Sequence, residues 1–426
     1  MLKYWIATFA FLLFNLMSFS QQTLIYCGSL IDGIANEPKP EMTIVVEGNI
    51  ILTIQEGYIL PKEFDNVIDL KDKTVLPGLW DMHVHIETEG GPGKYINRFT
   101  NNDADVAYDA AVYARTTLMA GFTTVRDLGG SGVNISLRKA INEGKVIGPR
   151  IYTAGKAIAT TGGHADPTNG YNKKLAGDPG PIDGVVNGPD EATKAVRQQY
   201  KNGADCIKIT ATAGVLSLAK DGSGPQFQMD ELEAIVKTSK EYGFVTAAHA
   251  HGAEGMKRAV LAGINTIEHG SFMTEEIMDL MIEKGTWYVP TLTAGQHVAE
   301  KAEIDGYYPE IVTPKAKEIG PQIEKTFAKA YKKGVNIMFG TDAGVFPHGE
   351  NSREFGYMVE AGMKPMEAIK SATSIPAKVM GDFGKVGSLE QGKLADIVAV
   401  EGNPLQKIEV LENISFVMKD GVVYKN

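Results

Sequence analysis

Between residues 78 and 344 one unit recurs: a helical pattern, a glycine, a short apolar run and a polar loop. The runs are GLWDMHVHI (78–86), FTTVRDLG (122–129), RIYTAGKAI (150–158), DCIKITAT (205–212), FVTAAHAHG (244–252), NTIEHGSF (265–272), TWYVPTLTA (286–294) and NIMFGTDAG (336–344). These eight runs are apolar nearly throughout, as parallel strands buried on both faces are. Six follow a glycine that closes a helical pattern: Gly121, Gly203, Gly243, Gly263, Gly285 and Gly334. Glycine suits the left-handed conformation at a helix C-terminus. Asp230, ahead of Leu232, Ile235 and Val236, and Asp190, after Pro189, are expected to cap helices. Eight such units predict an α/β fold with a (β/α)8 TIM barrel over residues 78–384. An open doubly wound sheet is the competing architecture, weakened because no GxGxxG follows the first run.

The flanks break the pattern. Residues 21–77 hold short strand-like runs (TLIYCG, TIVVEG, IILTIQEG, VIDL) with a Gly48-Asn49 turn. Residues 385–426 hold ADIVAV, ISFVMKDG and VVYK, with an Asp420-Gly421 turn. Both read as antiparallel hairpin material, and neither buries much alone. They are expected to pair into one small β-sandwich domain built from both chain ends. Two long segments, Thr160 to about Asn187 and Gly295 to about Pro314, read as loops at the C-terminal face of the barrel, walling a pocket.

Residues 1–20 read as a secretory signal peptide: Lys3, an apolar run to about Met17, then Ser18 and Ser20 before Gln21. The run is short for a span and no stop-transfer charge cluster follows it. No membrane span is expected after cleavage, and the mature chain is expected in the periplasm or outside the cell. Cleavage removes one lysine and no acid, taking the net charge from −10 to −11. An acidic chain with no basic stripe does not suit nucleic acid. Cys27 and Cys206, the only cysteines, fall in separate strands and read as small buried hydrophobes.

Polar residues collect at the ends of the runs. The first carries His83 and His85, two residues apart and so on one face of a strand, with Asp81 behind them. Lys208 lies inside the fourth. His249 and His251 end the fifth, His269 ends the sixth, and Asp342 sits in GTDAG of the eighth. Five of the eight histidines fall in this set; His164, His297 and His348 do not. Lys208 stands between isoleucines on a strand buried on both sides, where a bare ammonium is costly. Two solutions exist: a salt bridge to an acid such as Asp127, or a depressed pKa and carbamate formation with carbon dioxide.

Together PGLWDMHVH, the lysine of the fourth run, AAHAHG, IEHGS, GTDAG and the tail MEAIKSATSIPAKVMG…GSLEQGKLADIVAV resemble the amidohydrolase superfamily. With TGGHAD and IKITATAGVLS, the set is most similar to the imidazolonepropionase-related branch that holds secreted Xaa-Pro-type dipeptidases and ochratoxin-type hydrolases. The resemblance implies two divalent metal ions, with zinc expected. His83, His85 and Asp342 would bind the more buried ion and His249 and His269 the second, with carboxylated Lys208 bridging both. It implies attack by a bridging hydroxide on a small substrate, a dipeptide or an N-acyl amino acid. Asp342 would move the proton, His251 would polarise the substrate carbonyl or hold the substrate carboxylate, and His164 would contact substrate. Arg126 could meet a substrate carboxylate or pair with Asp127. Tyr307 and Tyr308 are expected near the pocket; a homo-oligomer is left open. The competing functions are a one-metal imidazolonepropionase or deaminase, a lactonase or phosphotriesterase on the same site, and a non-catalytic ligand-binding barrel.

Overall fold

The structure, a computed structural model, describes residues 21–426 apart from positions 64, 92 and 219–221. The expected signal peptide, residues 1–20, lies outside the described residues. Four strands come first: β1 (Gln22–Leu30), β2 (Lys39–Glu47), β3 (Ile50–Glu56) and β4 (Asn66–Pro77). Barrel strands β5 (Leu79–Val84), β6 (Phe122–Asp127) and β7 (Arg150–Thr153) follow, then the two-residue β8 (Ala159–Thr160) and β9 (Val185–Val186). Next are β10 (Cys206–Thr210), β11 (Val245–Ala250), β12 (Thr266–His269) and β13 (Trp287–Val289), and finally β14 (Ile397–Glu401), β15 (Ile414–Lys419) and β16 (Val422–Lys425).

Parallel pairing joins β5-β6-β7 and β10-β11-β12-β13. Backbone bonds connect the two sheets. Asp205 N donates to Thr153 O (2.7 Å), and Ile158 N to Lys208 O (2.8 Å). On the other side, residues 336–343 stand between β13 and β5. Met338 N donates to Tyr288 O (2.9 Å), and Met82 N to Phe339 O (3.0 Å). The eighth run is thus in place, but as isolated bridges at Ile337 and Ala343 rather than a regular strand. Within it Asp342 adopts φ +63°. The six helix-closing glycines all have positive φ, between 71° and 94°. The cap expectations fail at both aspartates. Gln228 and Gly188 occupy the cap positions, and Asp230 and Asp190 lie inside the first turns.

Both chain ends build one seven-stranded sheet, ordered β16-β15-β14-β4-β1-β2-β3. It is mixed rather than wholly antiparallel, because β1 and β4 run parallel. The sheet folds over until its far hairpins meet: a Cβ on Gly421 would lie 2.1 Å from Gly48 O. Ile25, Ile44, Leu70, Ile397 and Phe416 fill the space between its faces. Arg150, opening β7, donates to Asp396 (2.8 Å) and Asp420 (2.6 Å) and ties this sheet to the N-terminal end of a barrel strand. The opposite end of the barrel is left to the loops.

One expected loop is largely helical. Residues Leu292–Lys301 and Thr313–Lys333 form helices, and β13 ends early at Val289. Buried Glu354, more than fifty residues away in sequence, accepts from Leu292 N and Thr293 N (2.7 Å each) and caps the first of them. The other long segment is closed at its base by β8 and β9. Both cysteines are buried free thiols, and burial pushes each up to about 12. No helix among the described residues is long and apolar enough to cross a membrane.

Candidate active site

Every parallel strand of the barrel ends on the same face, so side chains at five strand ends converge. β5 delivers His83 and His85, β10 Lys208, β11 His249 and His251, β12 His269, and the eighth run Asp342. Asp342 Oδ1 lies 3.4 Å from Nε2 of both His83 and His85. The His83 and His269 rings are 5.0 Å apart, and those of His249 and His269 4.6 Å. Ligand atoms of His83, His269 and Asp342 lie within 4.8 Å of one another, as do those of His249, His251 and His269. Lys208 Nζ is 3.5 Å from His83 Nε2.

Three non-glycine residues of this face have left-handed backbones: His269 (φ +68°), Thr291 (φ +57°) and Asp342 (φ +63°). Such conformations cost about 1–3 kcal/mol each and persist where the surroundings demand them. Here they turn His269 and Asp342 out of their strands toward the centre. Thr291 Oγ1 meets His269 Nδ1 at 2.8 Å.

His83, His85, His251 and His269 each have Nδ1 occupied, whereas His249 has Nε2 3.3 Å from Ala213 O. His85 Nδ1 donates to Gly129 O (2.7 Å), His251 Nδ1 meets Ser271 Oγ (2.8 Å), and His83 Nδ1 meets Glu268 Oε2 (2.9 Å). This leaves His83 Nε2 and His85 Nε2 facing the centre. Orientation of a ligand ring through its other nitrogen is a general feature of metal sites. The residues therefore fit a divalent metal: neutral imidazoles, one carboxylate and a lysine, pre-aimed at a common space. Burial pushes His83, His249 and His269 well below the ordinary imidazole value, and His251 down to about 3.

That burial has a sign on the pH scale. The unfolded chain takes protons below about 6.5, and the folded chain holds these four rings neutral. Stability is full above that value and falls as pH drops below it. For the metal-free protein, stability is expected to be lower at pH 5.5 than at pH 7.5. Denaturant midpoints at pH 7.5 and 5.5 measure it. Equal midpoints would show that the rings protonate in place.

The sequence motifs do not reveal Glu268 or its pairing with His83 and Arg126. Glu268 lies in IEHGS, inside β12, fully buried. It bridges His83 and Arg126, whose Nη2 donates to Glu268 Oε1 at 2.9 Å. Arg126 Nε donates to Met82 O (2.7 Å), so this guanidinium supports the first strand from behind. The expectations that it pairs with Asp127 or meets substrate are corrected. Asp127 is instead held by Asn134 Nδ2 (2.7 Å) and Thr153 Oγ1 (3.0 Å), and it does not pair with Lys208. The alternation of β12, Thr266-Ile267-Glu268-His269, was the available signal: a buried acid two residues after a barrel-facing threonine. Glu268→Gln should leave Arg126 buried without its counter-charge, costing about 3–5 kcal/mol. Metal affinity should fall about 10–100-fold through the loosened His83. Thermal melts and metal titration test this, and unchanged affinity would mean that His83 is aimed without Glu268.

Asp81 locks the first strand to the eighth. It accepts from His83 N (3.0 Å) and Thr341 N (3.1 Å) through Oδ1, and from Thr341 Oγ1 (2.6 Å) and Asn351 Nδ2 (2.7 Å) through Oδ2. His164, from the segment after β7, stacks on His249 with ring centroids 4.3 Å apart, and its Nδ1 contacts Ser217 Oγ. It reaches the cluster from a loop, as expected. Of the other two histidines, His348 is held behind His85 by Thr88 O (2.9 Å), and the His297 ring lies 6.1 Å from that of Phe346. Tyr308 packs in an apolar cluster with Leu216 and Phe272, and Tyr307 meets the Tyr308 ring edge-on.

A barrel with converging imidazoles, a carboxylate and a buried lysine at its C-terminal face defines a class of hydrolase centres that hold divalent metals. The chain belongs to the amidohydrolase family, whose profile matches residues 74–425. It is 34% identical to ochratoxinase of Aspergillus niger over 95% of this chain and 86% of that protein. A crystal structure of a Xaa-Pro dipeptidase with methionine bound in its active site is similar at 56% identity and TM-score 0.92, covering 95% of this chain and all of that one. A prolidase structure complexed with N-methylphosphonate-L-proline is 30% identical with TM-score 0.86, again covering 95% of this chain and all of the other.

Proposed function

We propose that the protein hydrolyses the C–N amide bond of a small substrate, a dipeptide of the Xaa-Pro kind or an N-acyl amino acid. The observation that carries this reading is the convergence of His83, His85, Lys208, His249, His269 and Asp342 from five strand ends. In this reading His83, His85 and Asp342 would hold one divalent ion, His249 and His269 would hold a second, and Lys208, once carboxylated, would serve as a further ligand. Zinc suits the donor set. Bound there, the ions supply Lewis acidity and a water of lowered pKa. Asp342 takes the proton of the attacking water and returns it to the leaving nitrogen. His251 and His164 hold the substrate carbonyl, His164 presenting its ring from a loop stacked on His249.

The dipeptide is favoured over an imidazolone, a lactone or a phosphotriester by the 56% identical dipeptidase structure with bound methionine. One observation favours a different role for His251. Its ligand atom groups with those of His249 and His269 within 4.8 Å, as a third imidazole of one ion would. His251→Asn separates the roles. As a substrate contact, it would lower turnover and leave metal content intact; as a ligand, it would lose metal.

The deciding assay uses residues 21–426 with added zinc and bicarbonate, against dipeptides, N-acyl amino acids, lactones and phosphotriesters. Release of proline or another amino acid is the expected result. Turnover confined to lactones or phosphotriesters would remove the peptidase reading. Export belongs to the same proposal: residues 1–20 are removed and the mature chain works in the periplasm or outside the cell. An intact Met1 on the fractionated protein would exclude it.

A further inference from the structure

An apolar cluster borders the segments that carry the candidate site. Leu216, Phe272, Tyr308 and Val345 are half-buried and pack on Val312, Ala316 and Ile319. Three of the four are tied to the candidate site through the backbone or an adjacent segment. Phe272 N donates to His251 O (3.0 Å) and Val345 N to Asp342 O (3.0 Å). Leu216 follows Ala213, whose carbonyl lies 3.3 Å from His249 Nε2. Among the described residues, a cation stands beside this cluster. Lys315 is half-buried on the helix Thr313–Lys333, and its Nζ donates to Ser217 O (2.8 Å). The same Ser217 contacts His164, which stacks on His249. The Lys315 charge acts on His251, after burial and Lys208, in holding that ring down.

We infer that this cluster is the specificity pocket, in which Leu216, Phe272, Tyr308 and Val345 receive an apolar side chain of the substrate and Lys315 pairs with its free carboxylate. The inference rests on the dipeptide reading and narrows it to apolar, C-terminally free substrates. An ammonium on a flexible stem can meet a carboxylate as a point charge. The apolar cluster discriminates by size, worth roughly tenfold or more per methylene in a fitted pocket.

The test titrates metal-loaded residues 21–426 carrying Asp342→Asn with Met-Pro, Gly-Pro and the C-terminal amide of Met-Pro. Met-Pro should bind about tenfold or more tighter than either comparison ligand. Lys315→Met should abolish the preference for acid over amide, and Lys315→Arg should keep it. Phe272→Ser should shrink the preference for Met-Pro over Gly-Pro and leave acid over amide unchanged. Equal binding of acid and amide, or no binding of any of the three, overturns the pocket. Steady-state assays of the unsubstituted enzyme separate the two readings. Binding preferences that persist with no amide turned over would remove the peptidase reading and leave the pocket. Turnover of Met-Pro with KM unmoved by Lys315→Met would do the reverse.

Discussion

Lys208→Ala is expected to lower kcat/KM on the best amide substrate by at least about 100-fold. Removing only an outer partner of a metal ligand costs about 10–100-fold, and a ligand shared by two ions should cost no less. The physical basis is the placement of Lys208. It is 3% exposed within β10, and burial brings its ammonium down to about 8, while Glu268 and Asp342 oppose the shift. A share of neutral amine near neutral pH is what reaction with carbon dioxide requires. Lys208→Arg distinguishes chemistry from charge. If the lysine served only as a cation beside Glu268 and Asp342, arginine would retain much of the activity. As a carbamate precursor, arginine should fail as alanine does. Labelled bicarbonate gives the direct readout: a carbamate carbon signal in the metal-loaded protein, absent from both variants. Full activity in Lys208→Ala would sink the shared-ligand assignment.

The second large effect is on Asp342. Asp342→Asn should lower kcat by about 10²–10⁴-fold, the range for loss of a positioned proton carrier. The substitution is clean at the backbone, since asparagine, like aspartate, tolerates the left-handed region that Asp342 occupies at φ +63°. It is also close in size, so the 3.4 Å spacing to His83 and His85 should survive. Metal content should therefore stay near that of the parent protein. Elemental analysis beside single-turnover assays checks both halves. Retained metal with normal turnover would move the proton role to another group.

The barrel was legible because its strands repeat a physical requirement. Each run is apolar on both sides, and each helix needs a residue tolerant of positive φ before the next run. The histidines were legible because β-strand geometry puts His83 and His85 on one face, and the same holds for His249 and His251. Less could be read where one segment's conformation depends on another far along the chain. The helix at Leu292 begins where it does because Glu354 supplies its cap. The parallel pairing of β1 and β4 follows from a sheet assembled from both chain ends, with β4 also bonded to β14.

The sequence by itself determined the α/β architecture, the strand ends that carry chemistry and the burial of both cysteines. Periodicity and residue type are local properties, and these features depend on little else. The tertiary structure alone decided what stands behind the centre and in front of it. Arg126 pairs with Glu268, an acid 142 positions away, rather than with adjacent Asp127, because neighbouring strand residues point to opposite faces. Leu216, Phe272 and Val345 come from three separate segments that pack into one cluster only in the folded chain, and Lys315 reaches Ser217 beside Leu216 from a fourth.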